Sequence, residues 1–175
     1  MSIEPLPKTL DMRKAAARGV SIQGTLKPLE LQRFGELLAS TDGTIEVKLA
    51  FQKDEENRYV VDVDLQAKVA ATCQRCLEAM PVELEGSNRL AVVWTDDEAR
   101  HLPRHLDPVV SEEVGDLWEM VEDELILAMP SFSVHSDENC NEYLAGLAPA
   151  SPEEEADSGR SNPFDVLAQL KPGKE

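Results

Sequence analysis

Two separate stretches of the chain hold four residues of the types that bind metal ions. Cys73 and Cys76 form a Cys-x-x-Cys pair, and His135 lies shortly before Cys140. Paired thiolates at this spacing can reach one zinc ion, and three thiolates with one imidazole form a common structural zinc set. These four residues are therefore candidate ligands of a structural zinc ion. The long gap between the pairs requires the end of a late helix to return to the Cys-x-x-Cys segment.

Two other interpretations of the cysteines stay open from the sequence. Cys73 and Cys76 can be ordinary reduced thiols, with His135 as a loop residue. A redox pair is the other alternative, but it would place Cys73 at the start of a helix in a β-α-β unit, where the pKa of a thiol falls. The surrounding sequence predicts strands instead. The odd number of cysteines, three, argues against a disulfide framework.

The sequence contains no signature of an enzyme. It has neither a phosphate-binding glycine loop nor a Gly-x-Ser-x-Gly motif, and its imidazoles for acid–base work are His101, His105 and His135. The runs Asp96-Asp97-Glu98 and Glu122-Asp123-Glu124 could bind magnesium, as in nucleases. Acids on a helix more often face solvent. We therefore expect no enzyme, and a metal-dependent nuclease is the least favoured alternative.

Acidic residues dominate the composition and are unevenly distributed. The chain has 34 Asp and Glu against 17 Lys and Arg, a net charge of −17. Residues 105–159 hold fifteen acids and no Lys or Arg, whereas residues 1–35 hold six bases and three acids. This asymmetry suggests an interaction surface, although a solvated, solubilising surface explains it as well. Broad RNA binding is disfavoured, because it needs clustered bases and stacking aromatics, and aromatics are 5% of the chain.

The hydrophobic content and its distribution predict one domain outside the membrane. Hydrophobic residues make up 42% of 175 residues, enough for one core. No apolar run reaches the roughly 18 residues of a membrane-spanning helix. The first ten residues lack an apolar run after a basic start, so no secretory signal is expected. We expect a cytoplasmic protein without membrane partners.

The first half of the chain alternates between helix and strand patterns. Helix formers in residues 12–18 end at Gly19, and a short strand is predicted for residues 20–26. Pro28 fits the start of an amphipathic helix over residues 29–39. Alternating apolar residues at 45–52 and 59–69 flank a polar turn and predict an antiparallel hairpin.

The second half predicts one more strand region and one clear helix. Residues 81–94 are strand-like, with a break expected near Gly86, and residues 95–105 are polar and irregular. Residues 114–129 predict an amphipathic helix that Pro130 ends. The fold class is thus α+β: a twisted antiparallel sheet, with barrel-like closure as an option, flanked by helices.

The domain organisation predicted from these patterns has three parts. Residues 1–148 form the α+β domain, and the Pro-, Ser- and Glu-rich residues 149–161 form a disordered acidic linker. Residues 162–175 form a short C-terminal helix and tail, with Asn162 as N-cap and Pro163 at the first helical position. This helix is either a docking peptide or a segment that folds back on the core.

Motifs along nearly the whole chain resemble the large ribosomal RNA subunit accumulation protein family, the YceD family. The resemblance rests on six segments in this order: Pro7-Lys8-Thr9-Leu10-Asp11; Ile22-Gln23-Gly24; Cys73-Gln74-Arg75-Cys76-Leu77; Val121-Glu122-Asp123-Glu124-Leu125-Ile126-Leu127-Ala128-Met129-Pro130; Val134-His135 with Cys140; and Asn162-Pro163-Phe164-Asp165-Val166-Leu167-Ala168-Gln169-Leu170-Lys171. It implies a ribosome biogenesis role in the synthesis, processing or stability of 23S rRNA, without catalytic residues. Some relatives carry further cysteines after the late helix, whereas this chain has His135 and Cys140 there.

These observations lead to two competing mechanisms. In the first, an acidic face with Glu119, Glu122 and Asp123 holds a basic protein of ribosome assembly, such as a ribosomal protein or an rRNA-processing factor. In the second, the chain binds precursor large-subunit rRNA directly. The bases proposed for that contact are Lys8, Arg13, Lys14 and Arg18, with Arg75, Arg100 and Arg104 as additions.

Overall fold

The computed structural model describes residues 4–137 and 139–141 of the chain. Its helices and strands follow one another in this order: β1 (Thr9–Leu10), α1 (Met12–Arg18), β2 (Ser21–Leu26), a 3₁₀ turn (Pro28–Glu30), α2 (Gln32–Gly35), β3 (Leu38–Lys53), β4 (Tyr59–Thr72), β5 (Ala79–Val93), α3 (Asp96–Ala99), β6 (Asp107–Val110), β7 (Gly115–Asp116) and α4 (Leu117–Ala128). The predicted linker and C-terminal helix, and the boundary at residue 148, lie outside the described residues.

Five strands form an open sheet in the order β2-β3-β4-β5-β6. Neighbours from β2 to β5 are antiparallel, whereas β6 runs parallel to β5. The α+β class and the β3–β4 hairpin are confirmed. Barrel-like closure is wrong, because β2 and β6 are opposite edges of the sheet, and the sheet is not purely antiparallel. The chain crosses through α3 and its flanking loops before β6, and this longer connection permits the parallel direction.

The core lies between one face of the sheet and the helices α1 and α4. Alternate residues of β3 are buried, as expected for a strand with one covered face: Ile45, Val47, Leu49 and Phe51 are each at most 1% exposed. From α4, Leu117, Val121 and Leu125 are completely buried in the same cluster. Full burial of each such side chain is worth about 1.5–3 kcal/mol, so this contact fixes α4 on the sheet.

Both ends of α1 match the sequence prediction. The side chain of Asp11 accepts the backbone N–H of Lys14 at 3.0 Å, which satisfies a donor of the first turn. Gly19 ends the helix with φ +66°, a left-handed conformation that glycine adopts without strain. The short helix therefore directs the chain into β2.

Two predicted elements are wrong, and both errors concern the sheet. The helix over residues 29–39 is reduced to the 3₁₀ turn and α2, because β3 begins at Leu38, which pairs with Ala71 of β4. The expected break near Gly86 does not occur, and β5 runs continuously through it. A Cβ atom on Gly86 would lie 3.0 Å from Leu65 Cδ1, so the glycine leaves room for a neighbouring side chain within the sheet.

The late helix is confirmed, but it begins at Leu117, three residues later than predicted. Gly115 and Asp116 form β7, which pairs with β1, and the side chain of Asp116 then caps α4. The backbone N–H of Leu117 donates to the carbonyl of Lys8 at 2.8 Å, so the start of α4 is tied to the N-terminal segment. None of the helices in the described part is long and apolar enough to cross a membrane.

Candidate functional site

The connection between β4 and β5 is a tight turn that carries the Cys-x-x-Cys pair. The N–H of Leu77 donates to the carbonyl of Cys73 at 2.8 Å, and the N–H of Cys73 donates to the carbonyl of Glu78 at 2.8 Å. Leu77 has φ +64°, in the left-handed region. These bonds continue the antiparallel hairpin and close the turn around the two cysteines.

The segment after α4 returns to this turn through hydrogen bonds. The N–H of Gln74 donates to the carbonyl of Ser133 at 2.8 Å, and Arg75 Nη1 donates to the carbonyl of Asp137 at 2.8 Å. Residue Ser133 is buried. The return that the zinc prediction required is therefore present in the fold, and it places His135 and Cys140 at the turn.

The four candidate ligands form one compact cluster. Their potential ligand atoms all lie within 4.8 Å of one another. Cys73 Sγ is 4.0 Å from Cys140 Sγ, and Cys76 Sγ is 3.3 Å from His135 Nδ1. Cys73 is completely buried, the other three are half-buried, and the three cysteines are free thiols. The ion itself stays a prediction.

The environment of the cluster favours a thiolate at Cys73. Burial raises the pKa of this thiol, but backbone N–H groups of Cys76, His135 and Arg75 oppose burial, and the net effect lowers its pKa to about 5. The N–H of Arg75 lies 3.4 Å from the sulfur. Burial is the largest cause that raises the pKa of Cys140, and the interactions with nearby Cys76 and Cys73 raise it further. A thiolate at Cys73 therefore opposes ionisation of Cys140.

A groove of about 590 Å³ lies between α4 and β6, and we call it the acidic groove. Apolar side chains of both elements, including the exposed Leu127 and Val110, contribute to its lining. One base, Arg33, is also present. Five carboxylates line the groove: Asp107, Asp116, Glu119, Asp123 and Glu124. The combination of apolar surface with excess negative charge is suited to a positively charged amphipathic segment.

The three acids predicted to bind a partner have different environments. Glu119 is exposed at the groove. Asp123 is also exposed, and its Oδ1 pairs with Arg33 Nη1 at 2.7 Å. Glu122 is buried: its carboxylate accepts the N–H of Phe34 and the Nε–H of Arg33, each at 3.0 Å. Its assignment to an exposed face is wrong, because the carboxylate is used to join α4 to α2.

Sequence reasoning missed Asp107 and gave Glu124 no separate role in the groove. Asn88 Nδ2 donates to Asp107 Oδ2 at 3.0 Å and to Glu124 Oε2 at 3.2 Å, linking β5, β6 and α4. Burial raises the pKa of Glu124, with nearby Asp107 and Asp123 adding to the effect against the Asn88 hydrogen bond. The acidic run at 122–124 was a signal for Glu124, whereas Asp107 required knowledge of the parallel pairing of β6.

Most of the N-terminal bases considered for RNA binding interact within the protein. The guanidinium of Arg13 is buried; it donates to the carbonyls of Ser111 and Glu112 and stacks 3.3 Å from the Trp94 ring centroid. Arg13 is therefore wrong as a phosphate contact, because its donors point into the fold.

The other bases are exposed, except for the half-buried Arg75, and several have neighbouring partners. Lys14 Nζ pairs with Asp11 at 2.7 Å, and Lys8 Nζ lies 5.6 Å from the Trp118 ring centroid. Arg18 ends α1 on the surface. Arg100 pairs with a neighbouring carboxylate of α3, Arg104 is exposed, and Arg75 belongs to the cysteine cluster. Lys14 and Arg18 are close enough on α1 for their charges to interact, whereas Arg100 and Arg75 belong to α3 and to the β4–β5 turn.

The acidic runs considered for magnesium do not converge either. In the part of the chain that the structure describes, the cysteine cluster is the group of three or more Cys, His, Asp or Glu side chains close enough to share an ion. The carboxylates of this run contact protein donors: Glu122 and Asp123 share Arg33, and Glu124 accepts from Asn88. Asp97 pairs with Arg100, and Glu98 accepts a backbone N–H.

Comparison with known proteins gives a consistent match over most of the chain. Residues 61–171 match the family model described as "Large ribosomal RNA subunit accumulation protein YceD". A Haemophilus influenzae protein of that name is 36% identical over 172 residues, covering 95% of this chain and 96% of the relative. No solved structure matches the chain.

Proposed function

The chain belongs to the YceD family of large ribosomal RNA subunit accumulation proteins, and on that basis we propose that it supports 23S rRNA synthesis, processing or stability as a non-catalytic adaptor. Its partner is a basic protein of ribosome assembly, either a ribosomal protein or an rRNA-processing factor. The acidic groove holds a positively charged segment of that partner.

The acidic groove is the observation that carries this proposal. Its five carboxylates and one guanidinium leave an excess of negative charge beside exposed apolar side chains. Complementary charge steers association and fixes orientation, and a positively charged segment with apolar residues matches both features of the lining. Proteins that bind rRNA are rich in such segments, because they neutralise phosphates with Lys and Arg.

The positions of the bases support an adaptor over direct RNA binding. A site for the phosphate backbone needs several unengaged Lys and Arg on one surface. Arg13 is buried against carbonyl groups, and Lys14 is ion-paired with Asp11. The net charge of −17 would further oppose contact with a polyanion.

The arrangement of acids and histidines supports a non-catalytic role. His101 and His105 are exposed, and His101 Nδ1 lies 2.6 Å from the backbone carbonyl oxygen of Asp97. His135 is within the cysteine cluster, where its Nδ1 faces a sulfur. A nuclease centre would need carboxylates that share a metal ion, and the carboxylates at 122–124 contact protein donors instead.

The proposal is tested by reversing one charge in the groove. Glu119→Lys changes an exposed groove residue, and Glu46→Lys, on an exposed position of β3, is the control with the same net charge. Each full-length variant is used to capture partners from growing cells, with and without ribonuclease. The ratio of 23S to 16S rRNA is then measured in cells that depend on that variant. We expect Glu119→Lys to lose a ribonuclease-resistant basic protein and to lower the ratio.

Three outcomes contradict the proposal in different ways. Equal capture by Glu119→Lys and Glu46→Lys would show that the groove is not the binding surface. Recovery of precursor large-subunit RNA alone, lost on digestion, would favour direct RNA binding. Cleavage of precursor RNA by the purified protein with magnesium or manganese would show that it is a nuclease.

A further inference from the structure

The cysteine cluster has the composition and the spacing of a closed metal site. Tetrahedral zinc with Zn–S bonds near 2.3 Å separates two ligating sulfurs by about 3.8 Å, and a sulfur and a nitrogen by slightly less. The observed Sγ–Sγ distance of 4.0 Å and Sγ–Nδ1 distance of 3.3 Å bracket these values. Four donors within 4.8 Å of one another need only small side-chain movements to reach one ion.

We infer that Cys73, Cys76, His135 and Cys140 bind one zinc ion that fastens the β4–β5 turn to the segment after α4. This inference does not depend on the adaptor mechanism. Four protein ligands fill the tetrahedral positions, so the ion is structural and leaves no open position for a substrate. His135 contributes Nδ1, the ring nitrogen that faces Cys76.

The segment after α4 gives the ion a structural task. Described residues 130–137 and 139–141 contain no helix or strand, so few backbone hydrogen bonds hold them. Hydrogen bonds from Gln74 to Ser133 and from Arg75 to Asp137 join them to the turn. Ordering such a segment costs conformational entropy, and a metal ion bound from both sides offsets that cost.

Arg75 supplies the charge that this site needs. Three thiolates, one neutral imidazole and a divalent ion leave one net negative charge. Arg75 Nη1 lies 3.7 Å from Cys140 Sγ, and the backbone N–H of the same residue lies 3.4 Å from Cys73 Sγ. A cation and N–H donors beside ligating sulfurs stabilise the thiolates and orient them. The Cys-Gln-Arg-Cys order places these donors inside the turn itself.

Zinc fits these donors better than the redox alternative does. Thiolate and imidazole ligands in a tetrahedral set favour zinc among common divalent ions. A redox pair needs an accessible thiolate at a helix N-terminus, but Cys73 is 0% exposed and lies in the turn between β4 and β5. The third sulfur, of Cys140, and the imidazole would have no task in a two-cysteine exchange.

The test measures metal binding by the untagged full-length protein. The protein is stripped with a chelator, reloaded with zinc or cobalt, and assayed for metal content and for the absorption of cobalt. We expect one zinc per chain and the visible bands of tetrahedral cobalt with thiolate ligands. Cys76→Ser, His135→Ala and Cys140→Ser should each weaken zinc binding by more than the roughly 10–100-fold that removal of an outer-sphere partner costs. His105→Ala, an exposed histidine outside the cluster, is the matched control and should bind normally.

A graded variant and a folding measurement keep the inference falsifiable. Arg75→Ala should weaken zinc binding about tenfold while Arg75→Lys, which keeps the charge, loses less. Circular dichroism of Cys140→Ser should retain the sheet signal, because the core forms without the cluster. Three fast-reacting thiols and no stoichiometric metal in the folded wild type would overturn the inference. A reversible disulfide without a cobalt spectrum would also overturn it.

Discussion

Replacement of Glu122 by alanine tests whether this buried carboxylate fastens α4 to α2. In Glu122→Ala the N–H of Phe34, which is 0% exposed, loses its acceptor, and an unsatisfied buried donor costs about 1–3 kcal/mol. The lost contact with the half-exposed Arg33 adds little, because solvent screens it. We expect the free energy of unfolding to fall by about 2 kcal/mol, which lowers the Tm by roughly 4–8 °C in a domain of this size.

Urea denaturation followed by tryptophan fluorescence measures this loss, since Trp118 lies in α4 itself. Glu119→Ala is the matched control, from the preceding turn of the same helix, and should cost less than about 1 kcal/mol through the helix dipole alone. Glu122→Gln keeps an oxygen for the Phe34 N–H and should fall between the two. Equal unfolding free energies for Glu122→Ala and Glu119→Ala would refute the assignment of Glu122 to the interior.

Three further substitutions test other contacts. Gly24→Ala places a Cβ 2.8 Å from the backbone of Leu6, so we expect a loss of about 1–3 kcal/mol in urea denaturation; a neutral change would contradict the close approach. Arg13→Ala removes the donors to two carbonyls and the stacking contact with Trp94. We expect a lower Tm and a shift in tryptophan emission, and unchanged emission would contradict the stacking contact. Burial raises the pKa of Glu124 in the folded protein. The ionised carboxylate therefore destabilises the fold above that raised pKa. The penalty disappears below the pKa of the unfolded chain, about 4.3, where Glu124 is protonated in both states. Glu124→Gln should therefore be more stable than wild type at pH 7 and lose that advantage near pH 4; an advantage independent of pH would exclude titration of Glu124 as its cause.

Local sequence patterns predicted the structure correctly where the burial of one face of an element determines it. The alternation from Ile45 to Phe51 predicted both the strand and its buried side, because each change of register would expose the whole apolar set. The spacing of Leu31, Phe34 and Leu38 also fitted a helix, but Leu38 belongs to the sheet. Leu38 forms strand and not helix because it pairs with Ala71 of β4, which lies more than thirty residues further along the chain.

The candidate sites depended more strongly on tertiary contacts. The spacing of Cys73 and Cys76 indicated their chemistry, since both belong to one turn. The sequence of α4 could not reveal that the N–H of Phe34 would meet Glu122, because that contact joins distant elements. Nor could it place Asp107 beside Glu124, which follows from the parallel direction of β6.

The closure between the N-terminal segment and residues 111–118 affects how the protein is made. Arg13 bonds to carbonyls 98 and 99 residues away, and Trp118 Nε1 donates to the carbonyl of Leu6 across 112 residues. At 5–20 residues per second, a ribosome needs roughly 5–20 s to synthesise the chain between these partners. During that interval β2, β3 and β4 can already pair as neighbours and α1 can pack on them, whereas β1 still lacks its partner β7. The contacts of β1 and of Arg13 therefore form only after residues 111–118 have been made, and a nascent chain exposes the Arg13 guanidinium that the finished protein buries.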